Sequence, residues 1–197
     1  LSIHLITYWS ILIGQKIVNM NGTYDLDGDN MLEFVALELN PNKDIFPKLV
    51  RHYEVDADGY QTIMWEFIPP VALEGDFVDA KVGDVNGDGV PELVLVMNLT
   101  RFGDNNSPHV FIATYDWDGT HFSEIPSASL DIGKENKSLR CNNFQLLDQD
   151  ADGEQEIVLS LGSPFRGFAI VGSSSSGLSI VKKIRPDQLL VGSGLLY

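Results

Sequence analysis

Three short acidic loops constrain this chain more than any other feature. Residues 25–33 read DLDGDNMLE, residues 84–92 read DVNGDGVPE, and residues 148–156 read DQDADGEQE. Each has an oxygen-bearing side chain at loop positions 1, 3, 5 and 9, and the starts at 25, 84 and 148 lie 59 and 64 residues apart. A motif that returns at a near-constant interval with variable filler marks a repeat architecture.

The flanks repeat with the loops. An alternating stretch precedes each one. Val78, Ala80 and Val82 are expected on one face with Asp79 and Lys81 on the other, and Phe144 and Leu146 alternate with Asn143 and Gln145. A more continuous apolar run follows each loop: FVALEL, LVLVM and IVLSL. Runs of that kind suit strands covered on both faces. Each unit then offers a tight turn, at 56–59 (DADG), 116–119 (DWDG) and 173–177 (SSSSG). Asp-Gly between β-rich runs is a hairpin signal. The unit therefore reads strand, acidic loop, strand, strand, turn, strand. No amphipathic helix of convincing length is found, and 127–140 reads as a long connection. Four antiparallel strands per repeat predict an all-β fold built from β-propeller blades. The alternative is a β-sandwich whose hairpins carry acidic turns.

Carboxylates at positions 1, 3 and 5 of a tight loop converge on one point and repel one another unless a hard dication joins them; Ca²⁺ takes about 6–8 oxygens in such loops. An EF-hand closes with a Glu at position 12 and continues as a helix. Here position 12 is Ala36, Leu95 or Leu159 and a strand follows, so the closing carboxylate is the one at position 9. The ligand sets are Asp25, Asp27, Asp29 and Glu33; Asp84, Asn86, Asp88 and Glu92; and Asp148, Asp150, Asp152 and Glu156. Position 7 is expected to add a backbone carbonyl, from Met31, Val90 and Glu154. Position 6 requires positive φ, which Gly89 and Gly153 supply freely and Asn30 tolerates. Solvated acidic turns without metal are the alternative.

Composition bears on the same point. The 197 residues carry a formal net charge of -15, and eleven of the 28 acidic residues sit in the three ligand sets. So negative a chain does not suit nucleic acid or anionic membrane surfaces, which need basic patches. Three bound Ca²⁺ would bring the charge to about -9. The apolar opening stretch at 1–14 is too short to span a bilayer and has no basic leader or small-residue cleavage site. Cys141 is the one cysteine, so no internal disulfide forms, and it is expected to be a small buried hydrophobe.

The D-x-[DN]-x-D-G-x-x-E loop between strands, repeated at this interval, resembles the FG-GAP/VCBS repeat of integrin α-subunit and secreted bacterial propellers. The likeness covers roughly residues 16–185. The stretch LSLGSPFRGFAIV, with Gly162, Ser163 and Pro164 where the family has Gly-Ala-Pro, extends it. The first two repeats lack that tripeptide and no Phe-Gly precedes any loop, which places the chain nearer the bacterial type. The resemblance implies up to three Ca²⁺ that hold blades together and do no chemistry. Blades are expected at about 15–68, 76–126 and 141–185, with 1–14 and 186–197 belonging to neighbouring blades. Family propellers usually have about seven blades, so the ring is expected to be incomplete and closed by another chain or further sequence.

Other features are weaker. His4, His52, His109 and His121 have no zinc-ligand spacing. Trp9, Trp65 and Trp117 are expected to pack in the core, and Asn21, Asn98, Asn105 and Asn136 lie in N-x-[ST] sequons. GSSSSG is not a nucleophile elbow, because it falls in a hairpin turn. The expected function is a non-catalytic, calcium-stabilised scaffold for protein or glycan binding, extracellular, at the cell surface or periplasmic. Partner contacts are expected on loops 40–48, 98–109 and 127–140, with Arg101 and Phe102 among them. A polysaccharide lyase or hydrolase is the alternative, with Arg101, Arg140 and Arg166 as isolated candidates; so is a structural subunit of a surface assembly.

Overall fold

The computed structural model describes residues 17–39, 48–68, 75–99, 109–132, 139–163 and 165–185. The chain ends at 1–16 and 186–197, the segments 40–47, 69–74 and 100–108 (the last with Arg101, Phe102 and Asn105), and 133–138 with Asn136 lie outside the described residues, as does Pro164. So does much of each expected partner loop.

The described residues form twelve strands and no helix, so none crosses a membrane as a long apolar helix. Sheet 1 runs β1 (Ile17–Tyr24), β2 (Leu32–Leu39), β3 (Lys48–Val55), β4 (Gln61–Phe67). Sheet 2 runs β5 (Gly75–Gly83), β6 (Glu92–Leu99), β7 (His109–Tyr115), β8 (Ala128–Ile132). Sheet 3 runs β9 (Cys141–Leu147), β10 (Glu156–Leu161), β11 (Gly167–Gly172), β12 (Ser179–Ile184). Each is an antiparallel meander in chain order, and each acidic loop joins the first strand of its sheet to the second. The 56–59 turn closes with Gly59 N–H donating to the Asp56 carbonyl at 2.9 Å, and the serine turn with Gly177 N–H donating to Ser174 at 2.8 Å.

The second strands show why the repeats stack. In β6 the residues Leu93, Val94, Leu95, Val96 and Met97 are all fully buried. Successive side chains of a strand point to opposite faces. Leu93, Leu95 and Met97 therefore pack toward sheet 1, with Val35, Leu37, Trp65 and Phe67. Val94 and Val96 pack toward sheet 3, with Phe144, Ile157 and Leu159. Sheet 2 is thus sandwiched, and each such side chain contributes about 1.5–3 kcal/mol by burial. The first strands also meet, β5 touching β1 and β9 touching β5.

Three local expectations are corrected. β10 alternates between buried and half-buried rather than being covered on both faces; Ile157, Leu159 and Leu161 pack on sheet 2, while Val158 and Ser160 sit on the far face. Val78 does not share a face with Ala80 and Val82. The β5–β6 register shifts between Phe77 and Asp79, so Phe77 joins Ala80 and Val82 toward sheet 1 and Val78 packs toward sheet 3. A bulge inserts one residue and so reverses the facing of what precedes it. Finally, 127–140 is not all connection, since β8 occupies Ala128–Ile132 and pairs with β7. The DWDG turn instead closes a small bridge between Trp117 and Phe122, and the fourth strand forms after it.

Candidate metal centres

All three acidic loops take the same shape, built from the backbone up. In loop 2, Val90 N–H donates to Asp88 Oδ1 at 2.8 Å, Asp88 N–H to Asn86 Oδ1 at 2.9 Å, and Gly89 N–H to Asp84 Oδ2 at 2.9 Å. In loop 1, Met31 N–H donates to Asp29 at 2.6 Å and Asp29 N–H to Asp27 at 3.1 Å. In loop 3, Glu154 N–H donates to Asp152 at 2.9 Å and Gly153 N–H to Asp148 at 3.2 Å. Short acidic side chains capture the N–H groups two residues on, which is how Asx turns form. The chain can coil this tightly because positions 4 and 6 are left-handed: Gly28 (φ 78°) and Asn30 (69°), Gly87 (76°) and Gly89 (82°), Ala151 (62°) and Gly153 (99°). Position 6 was anticipated. Position 4 was not, although Gly28 and Gly87 were visible there.

The position-9 glutamates lock the loops. Glu33 accepts from Leu26 N–H at 2.8 Å, Glu92 from Val85 N–H at 2.9 Å, and Glu156 from Gln149 N–H at 2.9 Å. Each therefore holds loop position 2 with one oxygen. Glu33 and Glu92 are 2% exposed, whereas Glu156, on the half-covered sheet, is only half-buried.

The side chains converge as the spacing requires. Asp25, Asp27, Asp29 and Glu33 each bring one oxygen to within 4.8 Å of the others; so do Asp84, Asp88 and Glu92, and so do Asp148, Asp150 and Asp152. Ca²⁺ binds oxygens at about 2.3–2.6 Å, so ligands across the ion stand about 5 Å apart. All-oxygen sets of this breadth suit a hard dication. Glu156 belongs to its loop through the Gln149 bond and stands outside the 148–150–152 cluster. Asn86 departs from expectation in one respect. Its oxygen is taken by Asp88 N–H, and its nitrogen faces Glu92 Oε1 at 2.9 Å and Asp88 Oδ2 at 3.3 Å, so the amide donates into the cluster. For Met31, Val90 and Glu154 the described contacts are the N–H bonds above, which fix the backbone at position 7.

Electrostatics register the crowding. Burial pushes Glu92 up to about 7, the Val85 N–H partly offsets this, and Asp88, Asp84 and Asp116 push it further. Glu33 is raised for the same reasons, burial first, with Asp27, Asp25 and Asp29 adding to it. Burial first, and neighbouring carboxylates second, thus oppose the charge on Glu33 and Glu92.

Other singled-out residues find structural places. Trp65 and Trp117 join an aromatic group with Phe67, Tyr115 and Phe122. His52 is buried edge-on to Trp117 at 5.2 Å and Phe122 at 5.5 Å, and among the described residues neither ring nitrogen has a hydrogen-bond partner. His109 pairs with Asp131 at 3.0 Å, and His121 is exposed beside Asp118. Asn98 is no free sequon: its Nδ2 donates to the Cys141 carbonyl at 2.9 Å and its Oδ1 accepts Cys141 N–H at 2.8 Å. Cys141 is buried, and its thiol is pushed up to about 12. Arg140 and Arg166 are both exposed. Neither a scan against protein-family models nor a search of curated proteins returns a match for this chain.

Proposed function

We propose that the chain is a calcium-stabilised β-propeller segment of the FG-GAP/VCBS type, a non-catalytic scaffold for protein or glycan binding outside the cytoplasm. The observation that carries this reading is the threefold recurrence of one loop, each copy bringing carboxylate oxygens within 4.8 Å of one another at the same corner of a four-stranded meander. The packing of successive sheets through their faces, with first strands β1, β5 and β9 in contact, supports blades side by side. The ring is completed by a further chain or sequence.

Asp25, Asp27, Asp29 and Glu33 would hold the first ion. Asp84, Asp88 and Glu92 would hold the second, with Asn86 if its amide turns, and Asp148, Asp150 and Asp152 the third. A bound Ca²⁺ supplies the positive charge that the gathered carboxylates lack. The protein's own part is to keep the oxygens aimed by the N–H bonds of positions 5 to 7 and to bury Glu33 and Glu92. Sites occupied permanently for structure suit compartments where free Ca²⁺ is high.

The test is thermal unfolding with and without chelator. A ligand bound only by the folded state adds about 2.7 kcal/mol per independent site at 100 times its Kd. Excess chelator should lower Tm sharply, Ca²⁺ should restore it and Mg²⁺ should do so poorly. An unchanged melting curve would overturn the reading.

A further inference from the structure

Loops 2 and 3 touch each other. Gln155, at position 8 of loop 3, donates its N–H to the carbonyl of Asp84, the first residue of loop 2, at 2.9 Å. The side chain of Glu154 lies over Gly87 so closely that a Cβ there would stand 2.5 Å from its Cγ. The Gln155 side chain lies against Gly83 in the same way, 2.1 Å from where a Cβ would be. Among the described residues no backbone bond of this kind joins loop 1 to loop 2. Position 8 of loop 2 is Pro91, which has no N–H to give. Gly28, the counterpart of Gly87, has nothing within 4 Å of its Cβ position.

We propose that Gln155 is a positioning residue for the cation site of loop 2, so that loops 2 and 3 fill as a coupled pair while loop 1 fills separately. The hydrogen bond runs from a residue flanked by two position-7 and position-9 glutamates of loop 3 to the backbone of a loop 2 ligand. Ordering loop 3 around an ion fixes Gln155 N–H. That bond in turn fixes the peptide of Asp84, whose carboxylate already accepts from Gly87 and Gly89. Energy conferred in one direction must be returned in the other, because binding linkage is reciprocal.

The inference rests on the cation-binding reading, and the experiment separates the two. Ca²⁺ uptake is measured by titration calorimetry on the full chain with loop 1 silenced throughout by Asp25→Asn and Asp29→Asn. The parent should fill loops 2 and 3 cooperatively. Emptying loop 3 with Asp150→Asn and Asp152→Asn should weaken loop 2 by roughly 2- to 10-fold, the range one hydrogen bond supports. Emptying loop 2 with Asp84→Asn and Asp88→Asn should weaken loop 3 by the same factor. Gln155→Pro installs at position 8 the residue loop 2 itself carries there and removes only the N–H from the backbone; it should make the two sites independent. Gln155→Ala keeps the N–H and should keep the coupling, although both variants lose the side chain against Gly83.

Independent filling in the parent overturns the coupling and leaves cation binding standing. Equal loss in the Pro and Ala variants overturns the N–H as its carrier. No uptake by the parent overturns the cation reading itself. Where Gln155→Pro does not fold, the loop-emptying variants still decide the coupling itself, and equal Ca²⁺ affinity of loop 2 with loop 3 filled or emptied overturns it.

Discussion

Aromatic rings are concentrated where sheets 1 and 2 meet, whereas sheets 2 and 3 meet mainly through branched aliphatics, with Phe144 among them, and through hydrogen bonds. On the first side stand Trp65, Phe67, Phe77, Tyr115 and Phe122, with Trp65 stacked on Phe67 at 5.7 Å between ring centroids. On the second stand Val94, Val96, Ile112, Ile157, Leu159 and Val171. There the polar stitching is local and doubled: Gln155 to Asp84 at the loop end, and Asn98 with both backbone groups of Cys141 at the other end. Across the aromatic side the corresponding stitch is Tyr24 Oη donating to the Val82 carbonyl at 3.1 Å. Large rings fill space between twisted sheets with few contacts to the backbone, and offset or edge-on ring pairs add about 0.5–1.5 kcal/mol beyond burial. On the aliphatic side the polar links fall at the two ends of the interface. The same meander is thus held to its neighbours in two different ways.

Truncating the aromatic side should be the harshest test. Trp65→Ala removes a ring packed against Phe67, Phe122 and Tyr115 and should cost about 3–5 kcal/mol in denaturant unfolding. Hydrogen exchange should rise first in β2 and β3, with β10 protected. Equal deprotection of both ends would mean the two interfaces are not distinct.

Acid should attack the same side. His52 sits among rings with its pKa lowered to about 4 by burial, slightly countered by Asp27, against an ordinary 6.5. The unfolded chain binds the proton first, so the stability this histidine contributes is complete above about pH 6.5. It is lost as pH falls from there through 4, a change on the order of 1–3 kcal/mol. His52→Leu should flatten that limb. In metal-free protein Glu92 acts in the opposite sense. Raised from 4.5 to about 7, it favours the fold below 4.5 and withdraws that support as pH rises through 7. Saturating Ca²⁺ should abolish this upper limb, because the carboxylate is then needed ionised. A Glu92 limb that survives in Ca²⁺ would count against its place in the site.

On the aliphatic side, Asn98→Ala leaves the N–H and C=O of Cys141 without their partner and should cost about 1–3 kcal/mol. β9 should lose protection before β2 does. The smallest effect is expected within a loop. Ala151 is held at φ 62° where loops 1 and 2 have glycine, so Ala151→Gly should stabilise by about 0.5–1 kcal/mol, measured as a small rise in Tm. A fall in Tm would show that the strain is relieved in some other way.

Much of this was legible in the chain. The acidic loops, their place between first and second strands, the tight turns and the all-β class follow from patterns read within ten residues. Backbone hydrogen bonding and φ preference act over that distance. The sequence also disclosed the position-6 turn residues, because only left-handed geometry lets positions 1, 3 and 5 converge. The bulge at Phe77–Asp79 was hidden, since Val78, Ala80 and Val82 obey the alternation that a bulge breaks. β8 was hidden by its serine and aspartate, and by a turn signal spent on the Trp117–Phe122 bridge.

The sequence by itself determined three copies of one β unit and a convergent set of oxygen side chains in each, because strand period and loop chirality are local properties. Tertiary structure alone decided that, among the described residues, sheet 2 is covered on both faces and sheet 3 on one, that His52 is enclosed by rings, and that loop 3 bonds to loop 2 through its backbone while loop 1 meets sheet 2 through Leu26. Those outcomes depend on which surfaces of distant residues meet. No periodicity records that Gln155 keeps an N–H within reach of Asp84, or that Pro91 does not have one to offer the loop before it.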